Sequence, residues 1–256
     1  MTCKDRPASM CDTISAEDMN RMTLQVGLVG SDGTVLASDR LINNAEGDDF
    51  ALSIGSKVFS GNDVVCCWSG SDAGLKAASL IRDNAGEWGT LTDLERDQKL
   101  KNCGNDAWKS TYGGVDVPLN QICVRSKVLV VFPSDCSLWQ LEVLPYSIAA
   151  RKDDKTVAGG SRTTVRHLIN DYVPAPPDRL PVCRLVTIAS HAIVIGHRED
   201  PASIDGLEVA VVVKGESPIF LSEEQEGTLM LRSKVIDTSL RGQLLQEFDY
   251  RPVRAD

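Results

Sequence analysis

The spacing of apolar positions changes several times along the chain, and each change marks an element. From Thr23 to the turn residues "GSDG" at 30–33, apolar and polar residues alternate, and the alternation resumes over residues 34–37. A period of two is typical of a half-buried β-strand, and the glycine-containing turn predicts that both runs pair as a hairpin. Residues 1–22 are polar and show no period, so we interpret them as a leader.

Apolar residues at a spacing of three or four predict helices in two blocks. These helices are expected at residues 71–84, 91–112, 161–173 and 181–200, with a more polar one running to about residue 247. Ser71 or Asp72 should begin the first helix and Thr92 or Asp93 the second, because short polar side chains satisfy free N–H groups at helix starts. Pro181 is expected in the first turn of the fourth helix, where a missing N–H costs nothing.

Strands come before, between and after these helical blocks. Besides the first hairpin they are expected at residues 56–70, 123–132, 138–144, 156–160, 207–213 and 218–222, and residues 42–49 are expected to form a polar loop. The order of strands, two helices, strands, two helices and strands differs from the alternation of a βαβ fold. It predicts an α+β protein in which two sheets lie between two layers of helices.

Composition excludes several classes of protein. The 42% hydrophobic and 25% charged residues are typical of a folded soluble chain. A net charge of −9 argues against binding of nucleic acid, which requires a basic face. No apolar run reaches the roughly 18 residues of a membrane span, and the first residues do not form a secretory signal. We therefore expect a cytoplasmic protein with neither nucleic acid nor membrane as a partner.

The eight cysteines form no C-x-x-C pair, and the three histidines do not lie at zinc-ligand spacing beside them. Reduced thiols, several of them buried, are the simplest interpretation in a chain without an export signal. Phosphate-binding loops, dinucleotide-binding glycine motifs and H-E-x-x-H are absent from the sequence, and Ser71 directly follows Gly70 instead of standing in a G-x-S-x-G elbow. We expect no metal and no cofactor.

Six short motifs remain, and their order along the chain is informative. They are Thr-x-x-x-Gly at 23–27, Ala-Ser-Asp at 37–39, Ser-Lys-Val at 56–58, Trp-Ser-Gly at 68–70, Val-Ala-Gly-Gly at 157–160 and His-Arg-Glu-Asp-Pro-Ala-Ser at 197–203. This series resembles the proteasome β-type peptidases, which are N-terminal nucleophile hydrolases, and among them the bacterial HslV-like proteases and the ancestral β-subunit group. The resemblance spans residues 23 to about 214.

The resemblance implies a four-layer αββα sandwich and a threonine-type endopeptidase. It assigns residues 23–256 to the peptidase domain and residues 1–22 to a propeptide, so that the enzyme is made as a zymogen. Thr23 becomes the nucleophile as the first residue of the mature chain. Asp39 and Lys57 match the family's acidic and basic partners, and the N–H of Gly70 matches the group that faces the substrate carbonyl.

Two further residues match the family's pattern downstream, and positions 159 and 22 depart from it. Asp200 and Ser203 keep the spacing of the aspartate and serine that hydrogen-bond the free amine. The family's serine between two glycines falls on Gly159, and Ser161 is the nearest substitute. Met22 stands where self-processing precursors have glycine. Translation from Met22 followed by removal of that methionine would also expose Thr23, in which case residues 1–21 are a start-site artefact.

The chemistry of these residue types supports the same site. A threonine hydroxyl needs a base, and a free α-amine on the same residue, with a pKa of about 8, can supply one. A Lys57 ammonium favours the alkoxide-like oxygen, while Asp39 keeps the lysine charged and oriented. A bare backbone at Gly70 lets a carbonyl approach its N–H. Thr2, exposed by loss of Met1, lacks the strand, the glycine and the downstream spacing.

Three functions stay open at this point. The first is a threonine peptidase that acts on peptides or unfolded proteins inside a homo-oligomeric ring, with an ATP-dependent unfoldase as a possible partner. The second is an inactive scaffold subunit that keeps residues 1–22. The third is an amidase of the same nucleophile class that acts on a small molecule.

Overall fold

The computed structural model of the chain describes residues 23–46, 49–113, 126–159 and 162–244. This part has two five-stranded antiparallel sheets, a two-stranded ribbon and five α-helices. The α+β class predicted from the sequence is confirmed. The proposed leader, residues 1–22, lies outside the described residues.

The first sheet carries the predicted N-terminal hairpin. Its strands are β1 (Gln25–Val29), β2 (Gly33–Ser38), β10 (Lys155–Ala158), β11 (Glu208–Val213) and β12 (Ile219–Phe220). They lie in the order β10-β1-β2-β11-β12. Gln25 lies opposite Ser38 and Val29 opposite Thr34, so the tight turn sets the register, as its glycine predicts.

The second sheet is a simple antiparallel series. Its strands are β5 (Val58–Ser60), β6 (Val65–Ser69), β7 (Ser126–Phe132), β8 (Ser137–Val143) and β9 (Ile148–Lys152), and each pairs with the next along the chain. Short connections join β5 to β6, β7 to β8 and β8 to β9, whereas β6 and β7 are joined through two helices, at residues 72–84 and 93–112.

The prediction of a polar loop at residues 42–49 is wrong. Strands β3 (Leu41–Glu46) and β4 (Asp49–Ile54) pair with each other as a separate ribbon. Residues 43–49 are mostly polar and include a glycine, which is typical of a turn. The missed signal lies in β4, where Phe50, Leu52 and Ile54 recur with a period of two.

The helices follow the sequence signals closely. They are α1 (Asp72–Asn84), α2 (Asp93–Tyr112), α3 (Arg162–Tyr172), α4 (Val182–Glu199) and α5 (Glu223–Leu244). Thr92 forms a capping box with Glu95 at the start of α2. Pro181 is the N-cap of α4, one residue before the first turn in which the sequence placed it. None of the helices in the described ranges is long and apolar enough to cross a membrane.

Buried apolar side chains form three clusters. One joins the first sheet to α3 and α4, with Leu24 and Leu185 among its members. A second joins the second sheet to α1 and α2. The third lies where the two sheets face each other and contains Leu36 and Leu138. Each sheet therefore packs against helices on one face and against the other sheet on its opposite face.

One buried cation stabilises the second helix block. Arg96 on α2 is 3% exposed, and its guanidinium stacks 4.4 Å from the centre of the Phe132 ring. It donates to the carbonyls of Trp88 (3.1 Å) and Gly89 (2.7 Å) and to the carboxylate of Asp135 (2.6 Å). Five N–H groups in a fixed plane suit Arg for such a junction.

Replacing Arg96 by Met should destabilise the fold. Arg96→Met keeps much of the volume but removes a buried cation and its hydrogen bonds to two backbone carbonyls and a carboxylate, so we expect a loss of about 3 kcal/mol in the free energy of unfolding. Urea denaturation measures this loss. Arg82→Met is the matched control, because Arg82 pairs with an exposed carboxylate on its own helix and its replacement should leave the free energy of unfolding nearly unchanged. Equal losses in both variants would contradict the role given to Arg96.

Candidate active site

A buried lysine joins the first residue of the described chain to an aspartate. The Nζ of Lys57 donates to Thr23 Oγ1 (2.8 Å) and to Asp39 Oδ2 (2.7 Å). Lys57 and Asp39 are 0% exposed and Thr23 is 9% exposed. The structure therefore brings together three of the six residues singled out in the sequence.

Strand ends deliver these three residues to one place. Thr23 lies just before β1, Asp39 just after β2 and Lys57 just before β5. Asp39 Oδ1 accepts the backbone N–H of Leu24 (2.8 Å), while Oδ2 also accepts that of Leu41 (3.1 Å). The aspartate thus fixes the entry to β1 as well as the ammonium of Lys57.

Burial and pairing act in opposite directions on the two charged groups. Desolvation is the largest influence: it lowers the pKa of Lys57 and raises the pKa of Asp39 from their ordinary values. Their mutual attraction and hydrogen bond oppose both shifts. The lysine is therefore an ammonium that gives up its proton more readily than an exposed one.

Glu208 is a member of the site that the sequence analysis missed. This residue, 8% exposed, begins β11. Its carboxylate accepts the hydroxyl of Ser56 (2.6 Å) and the backbone N–H groups of Lys57 (2.7 Å) and Val58 (3.0 Å). The available signal was a single charge in the otherwise apolar run "LEVAVVV", since such a charge is seldom buried without a partner.

Gly70 lies at the turn between β6 and α1 with a φ of 97°, a conformation that favours glycine. Two residues earlier, the N–H of Trp68 donates to the carbonyl of Lys57 (3.3 Å). This places Gly70 just beyond the strand pair that carries Lys57. Trp68 is 5% exposed and packs with α1 and α2 in the second core cluster.

Gly159 explains one departure from the family pattern. Its φ is 103°, and a Cβ placed on it would lie 1.4 Å from the carbonyl oxygen of Thr23. No side chain fits there, so in this chain the position serves to seat the backbone of Thr23. Ser161, the substitute considered above, lies outside the described residues.

Asp200 and Ser203 lie at the end of α4. Asp200 is the C-cap of that helix, and its carbonyl accepts the N–H groups of Ser203 (3.2 Å) and Ile204 (3.0 Å). Ser203 is 1% exposed, and its hydroxyl has no hydrogen-bond partner in the described part of the chain. Within that part no hydrogen bond joins either residue to Thr23, so the structure does not connect them directly to the cluster of Thr23, Asp39 and Lys57.

Solved structures of ancestral beta-subunit proteins share this fold. Anbu (ancestral beta-subunit) from Yersinia bercovieri matches with a TM-score of 0.65 and 14% identity, over 90% of this chain and 100% of that chain. Anbu from Hyphomicrobium sp. strain MC1 matches with a TM-score of 0.59 and 13% identity, over 88% and 99% of the two chains. The Anbu (Gly-1) mutant from the same strain matches with a TM-score of 0.59 and 12% identity, over 89% of this chain and 99% of that chain.

The assignment of the sequence to the proteasome β-type peptidases is wrong as a family assignment. No family model matches the chain, and no curated protein sequence matches it. The likeness to Anbu rests on 12–14% identity, which shows a shared fold and nothing finer. Short motifs in the right order resembled a family because the fold places those motifs at strand ends, and the rest of the sequence does not follow the resemblance.

A methyl group at Gly159 should disrupt the seat of Thr23. Gly159→Ala combines a positive φ with a clash against backbone, and we expect it to lower the free energy of unfolding by about 3–5 kcal/mol. Gly113→Ala is the matched control: Gly113 has a φ of 69°, but its Cβ would meet no atom of the described residues within 4 Å, so the backbone strain of about 1 kcal/mol is the expected cost. Thermal and urea unfolding compare the two. Similar costs would show that Gly159 contributes only its backbone freedom.

Proposed function

We propose that the protein is a threonine-dependent peptidase whose nucleophile is Thr23 Oγ1 once Thr23 is the N-terminal residue. One observation carries the proposal: the Lys57 ammonium lies buried between Thr23 Oγ1 and the Asp39 carboxylate. A buried ammonium aimed at a hydroxyl has little value for stability, because burying the charge costs more than its pairing returns. The same arrangement is useful where negative charge develops on that oxygen.

The reaction would be acyl transfer through an ester. The free α-amine of Thr23 accepts the hydroxyl proton while Oγ1 attacks the scissile carbonyl. The Lys57 ammonium stabilises the charge on Oγ1, and Asp39 keeps that ammonium in place. The amine then protonates the leaving nitrogen, and an activated water molecule hydrolyses the ester and restores Thr23.

Two further groups support this reaction. Gly70, just beyond the strand pair that holds Lys57, is our candidate for the N–H that stabilises the oxyanion, because its bare backbone admits a carbonyl. The Ser203 hydroxyl is buried without a partner in the described residues, and it gains one if the free amine of Thr23 turns toward it. Asp200 is proposed to act with Ser203, since their backbones are joined.

The proposal carries several of the sequence predictions with it. It requires residues 1–22 to be removed or never made, and it takes residues 23–256 as the peptidase domain. The three core clusters support the four-layer αββα sandwich. The solved structures of similar fold are named as beta-subunits, which supports a homo-oligomeric assembly. The peptide substrate, the ATP-dependent unfoldase partner and the cytoplasmic location stay predictions.

Thr23 is tested with a chain that starts at Met22. Removal of that methionine should leave Thr23 as the first residue, which intact mass spectrometry verifies, and the product should cleave fluorogenic peptides. Thr23→Ala should lower kcat at least about a thousandfold, because it removes the nucleophile. Thr23→Ser keeps a hydroxyl and should retain measurable turnover.

The controls separate the three functions. Thr228→Ala, on the exposed face of α5, should leave activity unchanged. Undiminished cleavage by Thr23→Ala would overturn the assignment. A matured chain that cleaves no peptide but hydrolyses small amides would favour the amidase, and one that does neither would favour the scaffold.

The pH dependence of activity should have two limbs. Below about pH 8 the α-amine of Thr23 is protonated and cannot act as a base, so activity falls toward acid. Lys57 must stay protonated to stabilise Oγ1. Because burial lowers its pKa from 10.5, activity should fall again at a pH below 10.5. Initial rates between pH 6 and 11, as kcat/KM, check this profile, and a plateau that continues past pH 10.5 would contradict the role of Lys57.

A further inference from the structure

We propose that Glu208 is a positioning residue for Lys57: its carboxylate holds the backbone of residues 56–58 so that the lysine reaches Thr23, and its charge helps to keep that lysine protonated. The proposal rests on the proposed function of Thr23. It concerns a residue that does not itself touch the nucleophile.

The hydrogen bonds define the positioning part of the proposal. A single carboxylate receives three donors from consecutive residues, namely Ser56 Oγ, Lys57 N and Val58 N, at distances between 2.6 and 3.0 Å. Hydrogen bonds to an ionised acceptor are shorter and stronger than neutral ones. The contact fixes the backbone from which the Lys57 side chain starts, immediately before β5.

The sheet register links Glu208 to the other end of the lysine. Glu208 on β11 lies opposite Ser38 on β2, and Asp39 follows directly on that neighbouring strand. Asp39 holds the Nζ of Lys57, while Glu208 holds its main chain. Two carboxylates from adjacent strands thus fix the two ends of one side chain, which leaves Nζ little freedom to leave Thr23 Oγ1.

Charge supplies the second part of the proposal. The groups that act on Lys57 are Asp39 at the end of β2, Glu208 on β11 and Cys67 on β6. Burial holds the pKa of the Cys67 thiol well above its ordinary value, so this group is neutral near pH 7. Glu208 therefore joins Asp39 as a source of negative charge that opposes the loss of the Lys57 proton.

The charges behind Glu208 do not cancel its effect. Glu226 on α5 also faces Glu208, but its carboxylate pairs with Arg40 (3.0 Å) and accepts the N–H of Val209 (3.2 Å). All three carboxyl oxygen contacts of Glu208 described above lead toward residues 56–58. The negative charge of Glu208 therefore lies beside the segment that carries Lys57.

Glu208→Gln separates charge from position, since a glutamine can accept the two backbone N–H groups and donate to the Ser56 hydroxyl. In the matured enzyme we expect kcat near pH 7 to fall less than about fivefold, KM to stay unchanged, and the alkaline limb to move down by roughly one pH unit. Glu208→Ala removes both contributions and should lower kcat by at least about tenfold. Glu216→Gln, the same change at an exposed glutamate, should alter nothing.

A second measurement keeps this test apart from the proposed function. NMR titration of ¹³Cε-labelled lysines, with the Lys57 signal assigned from Lys57→Met, follows the lysine pKa whether or not the protein cleaves peptides. Glu208→Gln should lower the pKa of Lys57 by as much as it moves the alkaline limb of the pH profile of activity. A folded Glu208→Gln protein with an unchanged Lys57 titration overturns the proposal about Glu208, whereas turnover by Thr23→Ala overturns the proposed function.

Ser56→Ala covers the case in which Glu208 variants fail to fold. It removes one hydrogen bond and leaves the carboxylate in place, so kcat should fall a few-fold, with KM and the alkaline limb unchanged. An unchanged kcat in Ser56→Ala, with no foldable Glu208 variant, would overturn the positioning role. Where the Glu208 variants do fold, a higher kcat in Glu208→Gln than in Glu208→Ala and in variants with other polar residues would support it.

Discussion

The structure depends on the enclosure of one ammonium group. Lys57 is fully buried, and moving a cation out of water costs several kcal/mol unless partners replace the water. Asp39 supplies the opposite charge and Thr23 a hydroxyl oxygen, each within 2.8 Å of Nζ. The ends of β1, β2 and β5 must therefore meet at one point, and any shift of register between them would leave a buried charge unpaired.

The packing around this group increases its effect. The third core cluster, which lies between the two sheets, keeps water away, and charges act more strongly on their neighbours in such a medium. Asp39 is held in turn by the N–H groups of Leu24 and Leu41. Gly159 leaves room for the carbonyl of Thr23, so the backbone of Thr23 packs directly against the backbone of Gly159. The site is therefore built before any substrate arrives.

The hydrophobic pattern identified most helices and strands, but it did not predict the contacts between them. Thr92 marked the start of α2 because capping is a local property of a few residues, whereas Ser71 precedes α1 without a side-chain capping hydrogen bond. The ribbon of β3 and β4 was missed because residues 43–49 are mostly polar, although Phe50, Leu52 and Ile54 in β4 recur with a period of two. The motif series also overstated kinship, since the solved structures that share the fold are only 12–14% identical to this chain.

Local chemistry along the chain determined the α+β class and the helix boundaries, and the order of its short motifs, through their resemblance to a known family, supplied the candidate trio of Thr23, Asp39 and Lys57. Those features depend on residue type and short spacing, which a sequence displays directly. The tertiary structure decided that Nζ lies between two oxygens and that Glu208 holds the main chain of Lys57 from a strand some 150 residues away. These are contacts across sheet registers and layers, and they exist only once the strands have paired.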